Sequence, residues 1–377
     1  MEKLNVKIFH LNEKDFMDNV NALEKDPIDL SNFFQVNSSV HDELNKFIED
    51  FNHDSKHFLF AQSNLFSGFN QFVYESFSEV IHGLAKVLSC DEIFLNNPPE
   101  RVIQSFKHAK NLFNLEDSPR KLMSLTSDKF LKLKEDINNR IVGQTSAKKR
   151  LLLSLSKYLY SSETLPIIIA FIGPQGVGKT EMAKVIAKSL DPSSSLFREQ
   201  LSMLRNDSAA QYLLGGDNTA NTFSKSIQQR EGNVLLLDEL NLLAPQLIPT
   251  FYQIFDEGVF RDLVYSVDLK KTIIICTANY LSKQEMIENL GYPLYSRFTA
   301  VCEFNKLNEQ QYIDIANKKI ESKLNHLTEK YKYIIKSDEI RKLVLDEPKI
   351  FSDVRNLDHY IDDAISTLVL KSIGIVI

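Results

Sequence analysis

Hydrophobic residues fall into two different patterns along this 377-residue chain. In the second half, short unbroken apolar runs recur: Ile167-Ile168-Ile169-Ala170-Phe171-Ile172, Val234-Leu235-Leu236-Leu237, and Ile273-Ile274-Ile275-Cys276 after Thr272. Runs of this length, bounded by turn formers, predict strands buried on both faces, as in a parallel sheet covered by helices. Between them the apolar spacing becomes helical over residues 180–190, 222–230 and 240–256,. Residues 197–201 suggest a further strand and residues 260–269 a hairpin of alternating positions,. Strands alternating with helices predict an α/β core. After Val301-Cys302-Glu303-Phe304, helices over 309–330 and 338–345 and another opening at 351–357 predict a small helical unit, with a final strand at 373–377.

The first part of the chain reads differently. Residues 1–124 hold more than half of the 25 phenylalanines, which a folded unit must bury,. Phe72-Val73, Phe77, Val80-Ile81, Leu84 and Val87-Leu88 recur at helical spacing, so they predict one apolar helix face packed in a core,. Pro98-Pro99 marks a break, and residues 102–115 predict a second helix before the polar turn at 116–119,. The expectation is a mostly α-helical N-terminal domain over residues 1–123. His53 and His57 stand four apart, but without a third ligand they read as a solvated pair,. A charged helix from about residue 127 then leads into Ile141-Val142-Gly143-Gln144 and a second helix carrying Lys148-Lys149-Arg150.

The strongest chemistry follows the first apolar run. Gly173-Pro174-Gln175-Gly176-Val177-Gly178-Lys179-Thr180 stands between a predicted strand and a predicted helix, the context that makes such a sequence a phosphate-binding loop,. Its glycines let successive N–H groups point at phosphate oxygens, Lys179 meets the outer phosphates, and Thr180 offers a hydroxyl to Mg²⁺. A nucleoside triphosphate and Mg²⁺ are therefore the expected ligands. The run Val234–Leu237 ends in Asp238-Glu239. A carboxylate at the C-terminal end of a central parallel strand faces the ligand crevice, so Asp238 is placed for the Mg²⁺ shell and Glu239 to orient or deprotonate water. The last apolar run ends at Thr277-Ala278-Asn279, where the amide of Asn279 can reach a γ-phosphate or a lytic water, with Thr277 as a second candidate.

Taken together, residues 124–377 resemble an AAA+ ATPase of the Clp/Lon branch. The resemblance rests on Ile141-Val142-Gly143-Gln144, the phosphate loop, Asp238-Glu239, the Phe-Asp-Glu-Gly turn at 255–258, Thr277-Ala278-Asn279 and Pro293-Leu294-Tyr295-Ser296-Arg297. It implies a P-loop NTPase core over 124–303 and a helical lid over 304–377. It also implies that Ile141 and Val142 lie against adenine, that Asn279 is the first sensor, and that Arg297 is an arginine finger. Arg355 takes the place of the lid arginine, although Asp353-Val354 replaces the usual Gly-Ala before it. The apolar patch at Tyr212 and Leu213 resembles a substrate-gripping pore loop, with a helix-capping turn as the alternative. The family implies a homo-oligomer, usually a hexameric ring, that hydrolyses ATP to unfold or remodel protein substrates. A nucleic-acid loader or a slow ATP-dependent scaffold switch is the alternative.

Composition changes this picture little. A net charge of −6 argues against generic nucleic-acid binding and favours protein partners,. Cys90, Cys276 and Cys302 are too few and scattered for a disulfide framework or a zinc site,. With no signal-peptide pattern at residues 1–12 and no apolar run of membrane-spanning length, the expectation is a cytoplasmic protein without membrane contact,.

Overall fold

The computed structural model describes residues 3–34, 56–204, 207–215, 221–345 and 354–375, except Gly68, Asn70 and Arg355. The N-terminal part contains β1 (Leu4–Phe9), β2 (Asp26–Asp29), β3 (His57–Ala61), β4 (Glu92–Asn96) and β5 (Phe113–Ser118). They form one sheet in the order β2-β3-β4-β1-β5, with every pairing parallel. The helix expected around residue 80 is present as Gln71–Val87, and Phe77, Ile81 and Leu84 are buried on its inner face. Phe72 lies off that face and is 75% exposed. The second expected helix is shorter, Glu100–His108, because the chain turns and enters β5 at Phe113. The polar residues Glu116, Asp117 and Ser118, expected as a turn, are the last residues of that strand.

The expected helices therefore pack on a parallel sheet that the periodicity did not reveal, and the unit is α/β in construction. Helices Gln71–Val87 and Glu100–His108 cover one face, where Phe77, Ile81 and Phe106 meet Val6, Leu59 and Ile93. Helix Glu13–Asn21 covers the other, packing Phe16 and Val20 on Phe58 and Phe60. Among the described phenylalanines of this unit, all but Phe72 pack in these two layers. His57 opens β3 and is buried, not solvated; His53 lies outside the described residues.

The second sheet contains β6 (Ile167–Ile172), β7 (Phe197–Gln200), β8 (Val234–Asp238), β11 (Ile273–Ala278) and β12 (Ala300–Glu303). The hairpin expected before β11 is formed by β9 (Val259–Arg261) and β10 (Ser266–Asp268). The sheet order is β12-β6-β11-β8-β7, again entirely parallel. Numbered in chain order within each sheet, the five strands of both sheets run 2-3-4-1-5. One face of the second sheet packs Ile168, Leu235 and Ile274 against Phe223, Phe251 and Ile254; the other packs Ile169, Leu236 and Ile275 against Leu151, Leu155 and Ile186. Where one helix over 240–256 was expected, Pro245 and Pro249 leave short 3-10 turns, and only Tyr252–Glu257 is α-helical,.

Beyond β12 lies the helical unit, Glu309–Asn325, Glu329–Ile334, Ser337–Leu345 and Leu357–Ser372. It is built on Ile320, Ile340, Leu357 and Ile361. A capping box on Asn308 and Gln311 fixes where its first helix begins,. The expected final strand is not formed over its described residues: helix Leu357–Ser372 ends in a turn at 373–374, and Val376 and Ile377 lie outside the described residues. The N-terminal unit and the second unit are joined through residues outside their sheets. The Glu13 N–H donates to Gln229 Oε1 at 2.9 Å, and Arg120 Nη2 donates to the Glu231 carbonyl at 2.6 Å.

Candidate functional site

The order β6-β11-β8 places three loops along one carboxyl edge of the second sheet, the position of the ligand crevice in a doubly wound sheet,. The loop after β6 enters the helix Lys179–Leu190. Gly173 has φ +139°, and a Cβ there would stand 2.2 Å from the Phe304 carbonyl oxygen, so the chain can pass only as glycine,. Gly178 has φ +99° and borders open space, where its backbone faces the cavity rather than a neighbour. Lys179 is buried, and its ammonium donates to the carbonyls of Gly173 (2.6 Å) and Pro174 (2.7 Å) and to Asn279 Oδ1 (3.0 Å). Gln175 is exposed on the outside of the loop.

Asp238 ends β8 almost wholly buried. Its carboxylate accepts from the Thr277 hydroxyl and from Arg198, Nη2 at 2.5 Å and Nε at 3.0 Å. Glu239 follows with φ +62°, held there by its N–H donating to Thr277 Oγ1 at 3.0 Å. Its carboxylate accepts from Gln200 Nε2 at 3.0 Å. Thr277 thus holds both acids, one through its proton and one through its lone pair. The Asn279 N–H donates to Asn241 Oδ1 at 3.1 Å, which fixes that amide beside Lys179.

These groups border a cavity of about 630 Å³. Gly176, Val177, Gly178, Lys179 and Thr180 form one wall, and Asp238, Glu239, Thr277 and Asn279 the end. The opposite wall is apolar near Ile141, Val142 and Leu307 and basic at Lys318 and Lys319 of the helical unit. Gln144, with φ +54°, joins these parts: its amide exchanges hydrogen bonds with the Asn305 backbone at 2.8 and 2.9 Å and reaches the Val177 carbonyl at 3.4 Å. A cavity that is apolar at one end and lined by backbone amides, a lysine and acids at the other suits a nucleotide. Among the described residues no group of three or more His, Cys, Asp or Glu could hold a metal alone. Asp238 and Thr180 instead offer two hard oxygens, the donor set that suits Mg²⁺ when phosphates and water complete its shell.

Arg198, Lys318 and Lys319 were not singled out by sequence reasoning. Arg198 occupies an ordinary alternating position of β7, and only its pairing with β8 brings it to Asp238. Arg297 does not line the cavity; it binds both oxygens of Asp256 at 2.9 Å and stacks 4.4 Å from the Tyr252 ring. Arg355 lies outside the described residues.

The expected substrate loop at Tyr212 and Leu213 is corrected: both belong to the helix Asp207–Leu214. Leu213 is fully buried, and the Tyr212 hydroxyl donates to Glu199 Oε2 (2.9 Å) and lies 3.1 Å from Ser226 Oγ. Burial raises the tyrosine pKa, and burial likewise raises that of Glu199 against the opposing hydrogen bond from Tyr212. The segment is thus a helix whose side chains are engaged within the fold, not an open loop. No helix among the described residues is long and apolar enough to cross a membrane.

Residues 165–337 match the family model described as AAA domain (Cdc48 subfamily). Over 182 residues the chain is 32% identical to chaperone protein ClpB 1 of Thermosynechococcus vestitus, covering 45% of this chain and 21% of that protein. It is 28% identical over 204 residues to the ATP-dependent Clp protease ATP-binding subunit ClpL of Staphylococcus aureus, covering 48% of this chain and 29% of that one. The chain therefore spans less than a third of the length of these relatives. Among solved structures, the S. cerevisiae Hsp104–ADP complex aligns with a TM-score of 0.57 at 14% identity, covering 98% of this chain and 89% of that one. A closed-state reconstruction of Hsp104 with ATPγS and FITC casein aligns at 0.55 and 13%, covering 98% and 88%. At these identities the likeness is one of fold.

Proposed function

We propose that this chain, which carries an AAA+ ATPase module of the Clp type, couples Mg²⁺-dependent ATP hydrolysis to the unfolding or remodelling of protein substrates within a cytoplasmic homo-oligomeric ring. The observation that carries the hydrolytic reading is Glu239, held by Gln200 at 3.0 Å beside buried Asp238 in the phosphate-loop cavity. In this reading the loop amides and Lys179 bind the phosphates, and Ile141 and Val142 receive the base. Lys179 exchanges its present carbonyl partners for phosphate oxygens. Asp238 and Thr180 would hold Mg²⁺, which when bound neutralises phosphate charge. Glu239 accepts the proton of the attacking water, and Asn279, oriented by Asn241, positions that water,.

Arg297 serves a neighbouring subunit's site rather than its own, which fits its distance from the cavity lining. Arg355 senses nucleotide from the lid. We divide the chain into residues 1–123, which select substrate, the core 124–303 and the lid 304–377. Protein is favoured over nucleic acid by the net charge of −6 and by the Clp-type relatives. Glu239→Gln in the full chain tests both halves of the reading. ATP should stay bound while turnover is lost, and protein should be captured with the ATP-bound variant. Undiminished turnover would remove Glu239 from the mechanism, and capture of DNA or RNA instead of protein would move the chain to the nucleic-acid class.

A further inference from the structure

The N-terminal sheet repeats the strand order of the ATPase core, yet its equivalent of the phosphate loop is closed. Only His10, Leu11 and Asn12 separate β1 from the helix Glu13–Asn21. Asn96, fully buried, accepts from the Leu11 N–H at 3.1 Å, and the amides of Asn96 and Asn97 both donate to the Leu11 carbonyl. The first turn of the helix is taken as well, since the Glu13 N–H donates to Gln229. No phosphate can enter there.

A second cavity, of about 500 Å³, opens beside this closed loop. It lies at the carboxyl ends of β1, β4 and β5, where Ile8, His10, Asn97 and Asp117 line it. In a doubly wound sheet this is the edge that receives ligands. The ATPase core roofs it with Gln228, Arg230, Arg261 and Lys270. Six cations, Lys107, Arg120, Lys121, Arg230, Arg261 and Lys270, line the cavity against three acids, Glu100, Asp117 and Asp268. Two of those acids are already engaged, Asp117 by His10 and Asp268 by Lys270.

Arg230 is 5% exposed and forms no ion pair among the described residues, although the charge of Asp268 acts on it from further off. Its Nη1 and Nη2 donate to the carbonyls of Ile227 (3.0 Å) and Asp268 (2.8 Å), and its buried Nε has no hydrogen-bond partner. The Gln228 Oε1 beside it is also buried without a partner. A buried cation that donates only to carbonyls, with a carboxylate acting on it only at a distance, is costly unless an anion joins it. Burial, reinforced by the neighbouring charge of Arg120, pulls the Arg230 pKa down to about 9, and burial lowers Arg120 too.

We propose that this junction cavity binds a small phosphate-bearing molecule, with the phosphate on Arg230 and flanked by Lys121 and Arg261. The planar guanidinium fork suits phosphate oxygens, and the volume is that of a small-molecule site. Its walls belong to the N-terminal unit and to the ATPase core, whose hairpin β9–β10 supplies Arg261 and Asp268, so the ligand ties the two together. Only Glu231, Gly232 and Asn233 separate Arg230 from β8, the strand that delivers Asp238.

Calorimetric titration of inorganic pyrophosphate into the full chain tests this assignment separately from the ATPase site. The parent should show two binding events and Lys179→Ala one. The pair Lys121→Ala and Arg261→Ala, both solvent-facing, should keep the event at the phosphate loop and lose the other. Combined with Lys179→Ala, that pair should weaken the remaining binding at least about tenfold. Abolition of all binding by Lys179→Ala alone would overturn the proposal. So would residual binding in Lys179→Ala that is indifferent to Lys121 and Arg261.

Discussion

Arg198 closes on Asp238 through two nitrogens, at 2.5 and 3.0 Å from the same carboxylate oxygen. The acid proposed to receive Mg²⁺ is therefore paired with a protein cation. Asp238 is 4% exposed, whereas the arginine side chain is 47% exposed. Replacing Arg198 by alanine strands a buried carboxylate, but solvent around the arginine reduces the loss to about 1–2 kcal/mol, below that of a fully buried pair. Denaturant unfolding of Arg198→Ala should show this loss in metal-free buffer and a smaller one with saturating MgADP. Equal losses in both would dismiss competition between Arg198 and the metal.

Glu239→Gln keeps the shape of the side chain and the left-handed backbone that Thr277 stabilises. It also keeps an oxygen for the Gln200 amide. Only the proton acceptor is removed. ATP turnover should fall by about 10²–10⁴-fold, the span of general-base catalysis, with ATP affinity retained. Loss of ATP binding alongside turnover would assign Glu239 to ground-state binding instead.

What the sequence made legible follows from how local each signal is. The stretch 173–180 is contiguous, its glycines set its own backbone and Lys179 turns its ammonium back onto the same loop, so reading it was enough to place the loop between β6 and the helix that follows. Asp238, Glu239 and Asn279 were readable because fully apolar runs pointed to the ends of central strands. The N-terminal sheet was not readable in this way. β1 alternates apolar residues with Asn5 and Lys7, and β5 carries Asn114, Glu116 and Asp117, so neither forms an apolar run. Arg198 depends on the pairing of β7 with β8, and Gln144 on contact with Asn305, distant in the chain. Tyr212 misled because glycines beside apolar residues look the same whether a helix ends or a loop begins.

Gly173 and Gly178 should fail differently when replaced by alanine. At Gly173 the added Cβ meets the Phe304 carbonyl at 2.2 Å, where the core joins the lid, and backbone must move. Overpacking of this kind costs about 1–3 kcal/mol. At Gly178 nothing lies within 4 Å, so the penalty is confined to a residue at φ +99°. Thermal unfolding should rank Gly173→Ala as the less stable variant, while both lose nucleotide affinity. The reverse ranking would show that the loop yields more easily than the Phe304 contact implies.

Arg297 is held by Asp256 and the Tyr252 ring, as a residue poised on a surface rather than in its own cavity. If it completes a neighbour's site, Arg297→Ala should lower ATP turnover on the order of 10³-fold and leave nucleotide binding intact. Mixing it with Lys179→Ala chains should restore part of the activity, because each variant supplies what the other lacks. Mixtures no more active than their separate components would rule out action across an interface.

Glu199 provides a test of the core contact that displaced the expected substrate loop. Its raised pKa arises first from burial, with the Tyr212 hydroxyl pulling the other way. A carboxyl whose folded-state pKa exceeds its unfolded value stabilises the fold fully at pH below the unfolded value. That contribution is lost as pH rises through the folded value. At neutral pH the half-buried charge therefore opposes folding. Glu199→Gln removes the charge and keeps an acceptor for Tyr212, so its stability relative to the parent should increase as pH rises through the carboxylate range. Tyr212→Phe should act in the opposite direction at neutral pH, costing about 1 kcal/mol, because a half-buried charged acceptor loses a donor that water only partly replaces. Urea unfolding of the three proteins across the acid-to-neutral range measures both effects. A difference between Glu199→Gln and parent that stays flat with pH would mean that Glu199 titrates as an ordinary solvated carboxylate. In that case the packing of Tyr212 against Glu199 would not persist in solution, and the segment Asp207–Leu214 would again be open to a substrate-facing role.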